Sequence, residues 1–86
     1  IDGMVLDTDG YIVATAGWAQ GGPGPSVYVF SPSGEVVERH TVPFDRPTNC
    51  SFGGEGLTTL YVTTSEGYLL RTETDRRGRL HYPPPA

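Results

Sequence analysis

Residues 59–72 decide the fold, and they read TLYVTTSEGYLLRT. Val, Thr, Tyr and Leu are favoured in half-buried strands, and Ser65-Glu66-Gly67 is a turn in which glycine accepts a positive φ. The stretch therefore predicts a β-hairpin. Similar short β-rich runs, each bounded by turn residues, occur on both sides of it along the whole chain.

Helix is predicted to be almost absent from this chain. Apolar residues do not recur at helical spacing, and 12 glycines and 8 prolines interrupt every segment. We therefore predict an antiparallel all-β fold. The strand candidates are Met4–Leu6, Tyr11–Ala16, Ser26–Ser31, Glu35–Val42, Asn49–Gly53, Thr59–Thr64, Gly67–Thr72 and Leu80–Tyr82.

The two halves of the chain repeat one another. Three pairs of segments match at offsets of 49, 40 and 44 residues: Tyr11–Thr15 with Leu60–Thr64, Val27–Phe30 with Gly67–Leu70, and Gly34–Val36 with Gly78–Leu80. A period near 44 residues with four strands per copy is typical of β-propeller blades. We predict a first blade at residues 1–45 with a long loop at 17–25, a second blade at 46–82, and a proline-rich tail at 83–86.

Composition excludes several classes of partner. The net charge is −4, and the six basic residues are all arginines without a cluster, so we expect no nucleic-acid binding. No apolar run approaches the roughly 20 residues of a membrane helix, and no signal peptide is visible, so we expect a soluble, cytoplasmic protein. The single cysteine, Cys50, excludes an internal disulfide framework.

Two blades cannot close a propeller, because a ring needs four to eight. The remaining blades must come from a longer parent chain or from copies of this one. Three copies would close a six-bladed ring as a homotrimer, which would place three copies of Asp2 around one axis.

Two motifs carry a family resemblance. Asp2-Gly3-Met4-Val5-Leu6-Asp7, followed by residues 10–15, resembles the "PDGM…D…G…VA" strand pair of the gluconolactonase, senescence-marker-protein and luciferin-regenerating-enzyme family. Residues 46–54 and then 60–64 resemble the family's "RPTNCxFGG…LYVT" pattern one blade later. The resemblance covers nearly the whole chain and implies two blades from the C-terminal portion of a six-bladed propeller.

The resemblance also implies an activity and a cofactor. Family members hydrolyse lactones with a divalent metal, usually calcium, in the central channel, and the aspartate of the first motif is a metal ligand. That position is Asp2 here, which we therefore predict as the metal ligand and as the catalytic residue that can accept a proton from water. The implied substrate is a lactone or sugar-like molecule. Catalysis is expected from the intact propeller and not from the isolated chain.

Three further residues are candidates for the substrate cavity. Aligning the blades places Thr48 in register with Asp2 and Asn49 with Gly3, at the start of a channel-lining strand. Their alternative role is to satisfy the backbone of a turn. Trp18 lies in the predicted loop 17–25, where its indole can cover a sugar-like ring or simply fold onto its own loop.

One other interpretation of the chain stays open, and two possible motifs are set aside. A non-catalytic sugar-binding or scaffold propeller fragment would use Asp2 structurally and Trp18 as a stacking platform. Asp7-Thr8-Asp9-Gly10 begins like a calcium-binding loop, but no glutamate stands at its twelfth position, so a hairpin turn is predicted instead. Cys50 has no sequence cue for a reactive thiol and is interpreted as a small core residue.

Overall fold

The computed structural model describes residues 1–79. Its strands are β1 (Met4–Leu6), β2 (Ile12–Trp18), β3 (Gly21–Phe30), β4 (Val36–Thr41), β5 (Pro47–Gly53), β6 (Thr59–Thr64) and β7 (Leu69–Glu73), with a short 3-10 turn at Glu55–Leu57. The all-β prediction is confirmed. The predicted strand Leu80–Tyr82 and the tail 83–86 lie outside the described residues.

The strands form two antiparallel sheets. The first sheet has the order β1-β2-β3-β4 and the second has the order β5-β6-β7. Tight turns join neighbours, and glycine accepts the positive φ that such turns need, for example Gly34 at +92° and Gly67 at +91°. Four strands were predicted in each blade; among the described residues the second sheet has three. The blade boundaries at residues 45 and 82 remain predictions.

The segment predicted as a loop at 17–25 is instead the far end of the β2–β3 hairpin. Trp18 pairs with Gly21 across a two-residue turn, and the register shifts between Ala16 and Trp18. Glycine and proline suggested a loop, but both prolines fall between Gly21 and Ser26, where no ladder pairs form. Because no ladder hydrogen bond is needed there, proline is tolerated in this part of the strand.

The core lies between the two sheets. Alternate residues of β2 and β3 meet alternate residues of β5 and β6, because successive side chains of a strand point to opposite faces. Each fully buried valine or leucine contributes about 1.5–3 kcal/mol relative to exposure. The buried members are Val13, Val27, Val29, Val42, Cys50, Leu60 and Val62.

Alternating antiparallel strands divide the molecule into two ends. At one end β1 begins, the β2–β3 hairpin turns, residues 42–46 link the two sheets, and β6 turns into β7. We call this the hairpin end. At the other end β1 turns into β2, β3 turns into β4, the 3-10 turn follows β5, and residues 74–79 follow β7. We call this the Arg76 end. Asp2, Trp18, Thr48 and Asn49 all lie at the hairpin end.

Candidate functional site

Asp2 stands where the innermost strand of the first sheet begins. Its backbone N–H donates to the Thr15 carbonyl at 2.8 Å, and Thr15 donates in return to the Gly3 carbonyl at 2.9 Å. These bonds extend the β1–β2 ladder by one step and fix the backbone of Asp2. The residue is exposed, and its carboxylate makes no hydrogen bond with the described residues. The backbone position of Asp2 is therefore fixed, and its carboxylate oxygens are open to a ligand within the described part of the chain.

Gly3 brings the first strands of the two sheets together. A Cβ built on Gly3 would lie 2.7 Å from the Cα of Asn49, closer than atoms can approach, so only glycine fits here. Asn49 and Gly3 are therefore neighbours in space. Asp2 directly precedes Gly3, and Thr48 directly precedes Asn49. Thr48 and Asn49, two of the predicted cavity residues, therefore lie near the start of β5 and close to Asp2.

The side chains of Asn49 and Thr48 are partly engaged. The Oδ1 atom of Asn49 accepts from the backbone N–H of Cys50 at 2.9 Å. Thr48 Oγ1 lies 2.9 Å from Thr63 Oγ1 and donates to the Thr63 carbonyl at 3.2 Å. Asn49 thus contacts the backbone of the next residue, whereas Thr48 contacts the neighbouring strand β6. The Asn49 side-chain amide nitrogen makes no hydrogen bond within residues 1–79 and is available to a ligand.

Trp18 packs on its own hairpin at the tip of the hairpin end. Gly21 touches the indole so closely that an added Cβ would meet the ring, lying 3.1 Å from Cδ1. The Arg46 guanidinium lies over the ring, 5.7 Å from its centroid. The side chain of Asp45 ties the tip down by accepting from the Ala19 N–H at 2.6 Å. Trp18 is 46% exposed, so part of its packed side chain remains accessible to solvent.

Sequence reasoning missed Arg46 as a site residue. It is one of two non-glycine residues with positive φ among residues 1–79, at +50°. Its carbonyl accepts from Ser65 at 3.0 Å, and its N–H donates to Asp45 Oδ1 at 3.0 Å. No sequence signal marks it, because a residue that precedes a proline ordinarily adopts an extended conformation with negative φ.

A calcium site would need about 6–8 oxygen ligands. Within residues 1–79, no three His, Cys, Asp or Glu side chains lie close enough together to hold a metal ion. Asp2 suits calcium as a hard oxygen donor, with Asn49 beside its strand, but the described residues hold only part of such a site. The remaining ligands would have to come from other parts of a propeller.

The Arg76 end is polar, and its charged side chains pair with one another, although the buried Nε atom of Arg76 has no hydrogen-bond partner within residues 1–79. The Asp7 carboxylate is 1% exposed and accepts from the N–H groups of Asp9 and Tyr11 at 2.9 Å each. Arg76 donates to it at 2.9 Å, also contacts Glu38, and lies 4.7 Å from the centroid of the Tyr11 ring. The turn predicted at residues 7–10 is thus confirmed. The Asp7 carboxylate accepts hydrogen bonds from the turn backbone and pairs with Arg76.

Glu38 continues this network onto the first sheet. Its carboxylate accepts from His40 Nε2 at 2.8 Å and pairs with Arg76. The hydrogen bond to His40, followed by that to Arg76, lowers the pKa of Glu38 below its ordinary value. The network therefore stabilises the charged carboxylate and joins the end of the second sheet to β4.

Cys50 is not a nucleophile. Its thiol donates to the Val13 carbonyl at 3.4 Å inside the core, and burial raises the pKa of Cys50 to about 11. Because the thiolate is the reactive form, the thiol is inert near neutral pH. The interpretation of Cys50 as a core residue is consistent with this environment.

A cleft of about 880 Å³ opens between the sheets along their outer strands. Its walls are apolar residues of the core, and Glu38, His40 and Arg76 stand at its rim. Asp2, Trp18, Thr48 and Asn49 do not line it. The cleft is thus separate from the predicted site and reflects the outward divergence of two packed sheets. No helix in residues 1–79 is long and apolar enough to cross a membrane.

A pair of packed antiparallel sheets whose first strands meet beside an exposed carboxylate is the arrangement of neighbouring propeller blades. The sequence of residues 1–66 matches the SMP-30/Gluconolactonase/LRE-like region. The chain therefore belongs to the SMP-30/gluconolactonase/LRE-like family.

Individual relatives agree with this assignment. The pentonolactonase XacC of Haloferax volcanii is 36% identical over 66 residues, which cover 77% of this chain and 21% of that protein. The 6-deoxy-6-sulfogluconolactonase of Pseudomonas putida is 41% identical over 64 residues, covering 74% and 20%. The chain thus spans about a fifth of the length of these curated relatives.

A crystal structure described as a candidate gluconolactonase shares the fold. It superimposes with a TM-score of 0.73 at 37% identity, over 93% of this chain and 24% of the solved chain. The two sheets therefore match part of a gluconolactonase structure.

Proposed function

We propose that these residues form two blades of a propeller that hydrolyses a sugar lactone with the help of a divalent metal, calcium being the expected ion. The observation that carries the proposal is the family match over residues 1–66, supported by two curated relatives that are named as lactonases. The position of Asp2 adds to it, because the residue is exposed and fixed by the β1–β2 ladder at the hairpin end.

Asp2 is proposed as one ligand of the metal. Its carboxylate oxygens make no hydrogen bond or ion pair with residues 1–79 and are the hard donors that calcium prefers. A bound dication polarises the lactone carbonyl and stabilises the negative charge that develops on it. Asp2 itself holds a negative charge at a fixed point and can accept a proton from water. The other ligands are expected from blades outside these residues.

The neighbouring residues are proposed to shape the substrate cavity. The free amide nitrogen of Asn49 can donate to a substrate hydroxyl. Thr48 lies near the start of β5, and its hydroxyl is within hydrogen-bond distance of the Thr63 hydroxyl. The Thr48 oxygen can accept a hydrogen bond from a substrate. The open side of Trp18 offers an apolar surface on which the face of a sugar ring can pack.

The outer faces of the two sheets support a larger assembly. On the first sheet Ile12, Tyr28 and Phe30 share the face away from the core, where Met4 and Val36 are 58% and 55% exposed. Exposed apolar sheet faces are typical interaction surfaces. The remaining blades of a longer chain are the proposed cover. Two further copies in a homotrimer are the alternative.

Light scattering coupled to size exclusion distinguishes these sources of the missing blades. The 9.3 kDa chain is run with calcium and then with a chelator. A calcium-dependent species near three times that mass would support the homotrimer. A monomer or a polydisperse aggregate that ignores calcium would exclude it and assign the activity to a longer parent.

The activity is tested on the full-length protein that carries these residues. Hydrolysis of D-glucono-1,5-lactone is followed by acid release, with and without chelator. We expect activity that chelator abolishes and calcium restores, and we expect Asp2→Asn to lower kcat by at least about 100-fold, as for loss of a metal ligand or its support. Asp9→Asn, an exposed acid at the opposite end, is the matched control and should leave kcat unchanged.

A non-catalytic sugar-binding or scaffold role is the second candidate, favoured by the fixed and half-exposed indole of Trp18. It predicts sugar binding without lactone hydrolysis. If the full-length protein binds the lactone but does not open it with any divalent metal, the lactonase proposal is wrong and the binding role replaces it.

A further inference from the structure

Arg46 occupies an unusual position at the hairpin end. Its guanidinium lies over the Trp18 ring, and its Nε atom faces Asp45 Oδ2 at 3.7 Å. Among residues 1–79, neither Nη1 nor Nη2 of Arg46 makes a hydrogen bond or an ion pair. The side chain is 58% exposed. One edge of a planar guanidinium, carrying two donors, is therefore presented to solvent from a stacked position.

The backbone of Arg46 is strained in order to place this side chain. A φ of +50° is rare for a residue with a Cβ and is less favourable than an extended or right-handed helical conformation. Hydrogen bonds from Ser65 to its carbonyl and from its N–H to Asp45 maintain the conformation. Glycine occupies eight of the ten positive-φ positions among residues 1–79. A glycine here would fold without strain, so the arginine side chain has a use beyond the fold.

Charge at the hairpin end makes Arg46 distinctive. The other charged residues there are Asp2, Asp45 and Glu66, and the remaining arginines lie on the sheets or at the Arg76 end. A neutral lactone needs no cation near the mouth of the site. An anionic one must approach past acidic groups, and a fixed guanidinium offsets that repulsion.

We propose that Arg46, stacked on Trp18, is a specificity-determining residue that recognises an anionic substituent, a carboxylate or sulfonate, on the lactone substrate. The two Nη donors match the two oxygens of such a group in a bidentate contact. The cation–π contact with the indole, 5.7 Å from the guanidinium to the ring centroid, restrains the side chain, so less side-chain freedom is lost on binding. This inference rests on the proposed function, because it assigns a substrate class to the same site.

The test compares two lactones that differ at one carbon. D-Glucono-1,4-lactone ends in a neutral hydroxymethyl group, whereas D-glucaro-1,4-lactone carries a carboxylate at that position. With the full-length protein, Arg46→Gln should raise the KM for the carboxylate lactone about tenfold, since charge-assisted hydrogen bonds are lost. The KM for the neutral lactone should change less than twofold, and kcat should be unchanged for both.

Four further variants separate recognition from folding. Arg46→Asn tolerates positive φ and should therefore fold well, yet lose the discrimination fully. Arg46→Lys keeps the charge without the planar fork and should retain only part of it. Arg71→Gln removes an exposed arginine from β7 and should affect neither lactone. Trp18→Leu should raise the KM for the carboxylate lactone more than that for the neutral one, because the guanidinium loses its support.

Each possible result of these measurements supports or overturns the role of Arg46 in recognising an anionic substituent. Equal changes for the two lactones in Arg46→Gln, or none, would overturn the inference while leaving lactonase activity intact. If the protein opens neither lactone but binds D-glucaro-1,4-lactone calorimetrically and Arg46→Asn abolishes that binding, the inference holds and the proposed lactonase function fails. Absence of both activity and Arg46-dependent binding overturns both.

Discussion

The two ends of this small molecule use similar residues to opposite effect. At the Arg76 end, an aspartate, a glutamate and an arginine satisfy one another, and Asp7 is 1% exposed. At the hairpin end, Asp2 and Arg46 keep polar atoms free and stand in solvent. One end holds the sheets together, while the other presents unused bonding capacity. Stability and ligand recognition are thus separated along the strands.

The sharpest test of this separation is Asp7→Ala. Removing one partner of a buried ion pair leaves the other without compensation and should cost about 3–5 kcal/mol of unfolding free energy. Two turn N–H groups lose their acceptor as well. Urea denaturation of the full-length protein measures the loss. Asp9→Ala, in the same turn but exposed, should change stability by less than about 0.5 kcal/mol. Similar losses in the two variants would contradict the assigned role of Asp7.

Gly3→Ala probes a tightly packed point of the hairpin end. The new methyl group would meet the backbone of Asn49, with a Cβ to Cα distance of 2.7 Å, and push the first strands of the sheets apart. Overpacking of this kind costs about 1–3 kcal/mol. Gly53→Ala is the matched control, because its Cβ would meet only the movable ring of Tyr61. Thermal unfolding distinguishes them, and equal melting temperatures would show that the strands do not meet at Gly3.

The ionic network at the Arg76 end should respond to acid. The pKa of Glu38 is lowered from 4.5 in the folded protein, chiefly by His40 and then by Arg76. Its stabilising effect is therefore present above pH 4.5 and is lost as the pH falls through the lower, folded-state pKa. We expect Glu38→Gln to show a smaller fall in Tm between pH 5 and 3 than the unmodified protein. Glu66→Gln, at the hairpin end, should keep the full fall.

Apart from the control variants, Arg46→Gln has the smallest expected effect on stability. An exposed cation–π contact is worth about 0.5–1 kcal/mol, and the exposed contact with Asp45 adds little. Because the side chain is placed for binding, its loss should barely shift the urea midpoint. A loss as large as that of Asp7→Ala would mean that Arg46 stabilises the fold and would erase the contrast between the two ends.

Much of the fold was predictable because it rests on local patterns. Alternating β-rich runs and glycine turns predicted all-β structure, and β1 and β6 begin and end where expected. Residues 17–25 were wrongly predicted to be a loop, because glycine and proline are common both in loops and in hairpins whose strand pairing is interrupted. The unpaired stretch before Ser26 depends on the register across two strands, which composition does not reveal.

The site was predictable only in part. Alignment of the repeats made Asn49 and Gly3 equivalent positions of the two blades, but their contact in space depends on how the two sheets pack. The engagement of Thr48 with Thr63 depends on a strand fifteen residues away. The positive φ of Arg46 and its stacking on Trp18 depend on a linker meeting a hairpin tip, a tertiary contact that no local pattern encodes.

The contact between Asp7 and Arg76 spans 69 residues of sequence, whereas every hairpin closes a short loop. Closing a long loop costs more chain entropy, so we expect the hairpins to form early and this pair to form after the folding transition state. An interaction made that late slows unfolding without speeding folding. The lifetime of the native state, rather than the rate at which it is reached, would then depend on this one arginine.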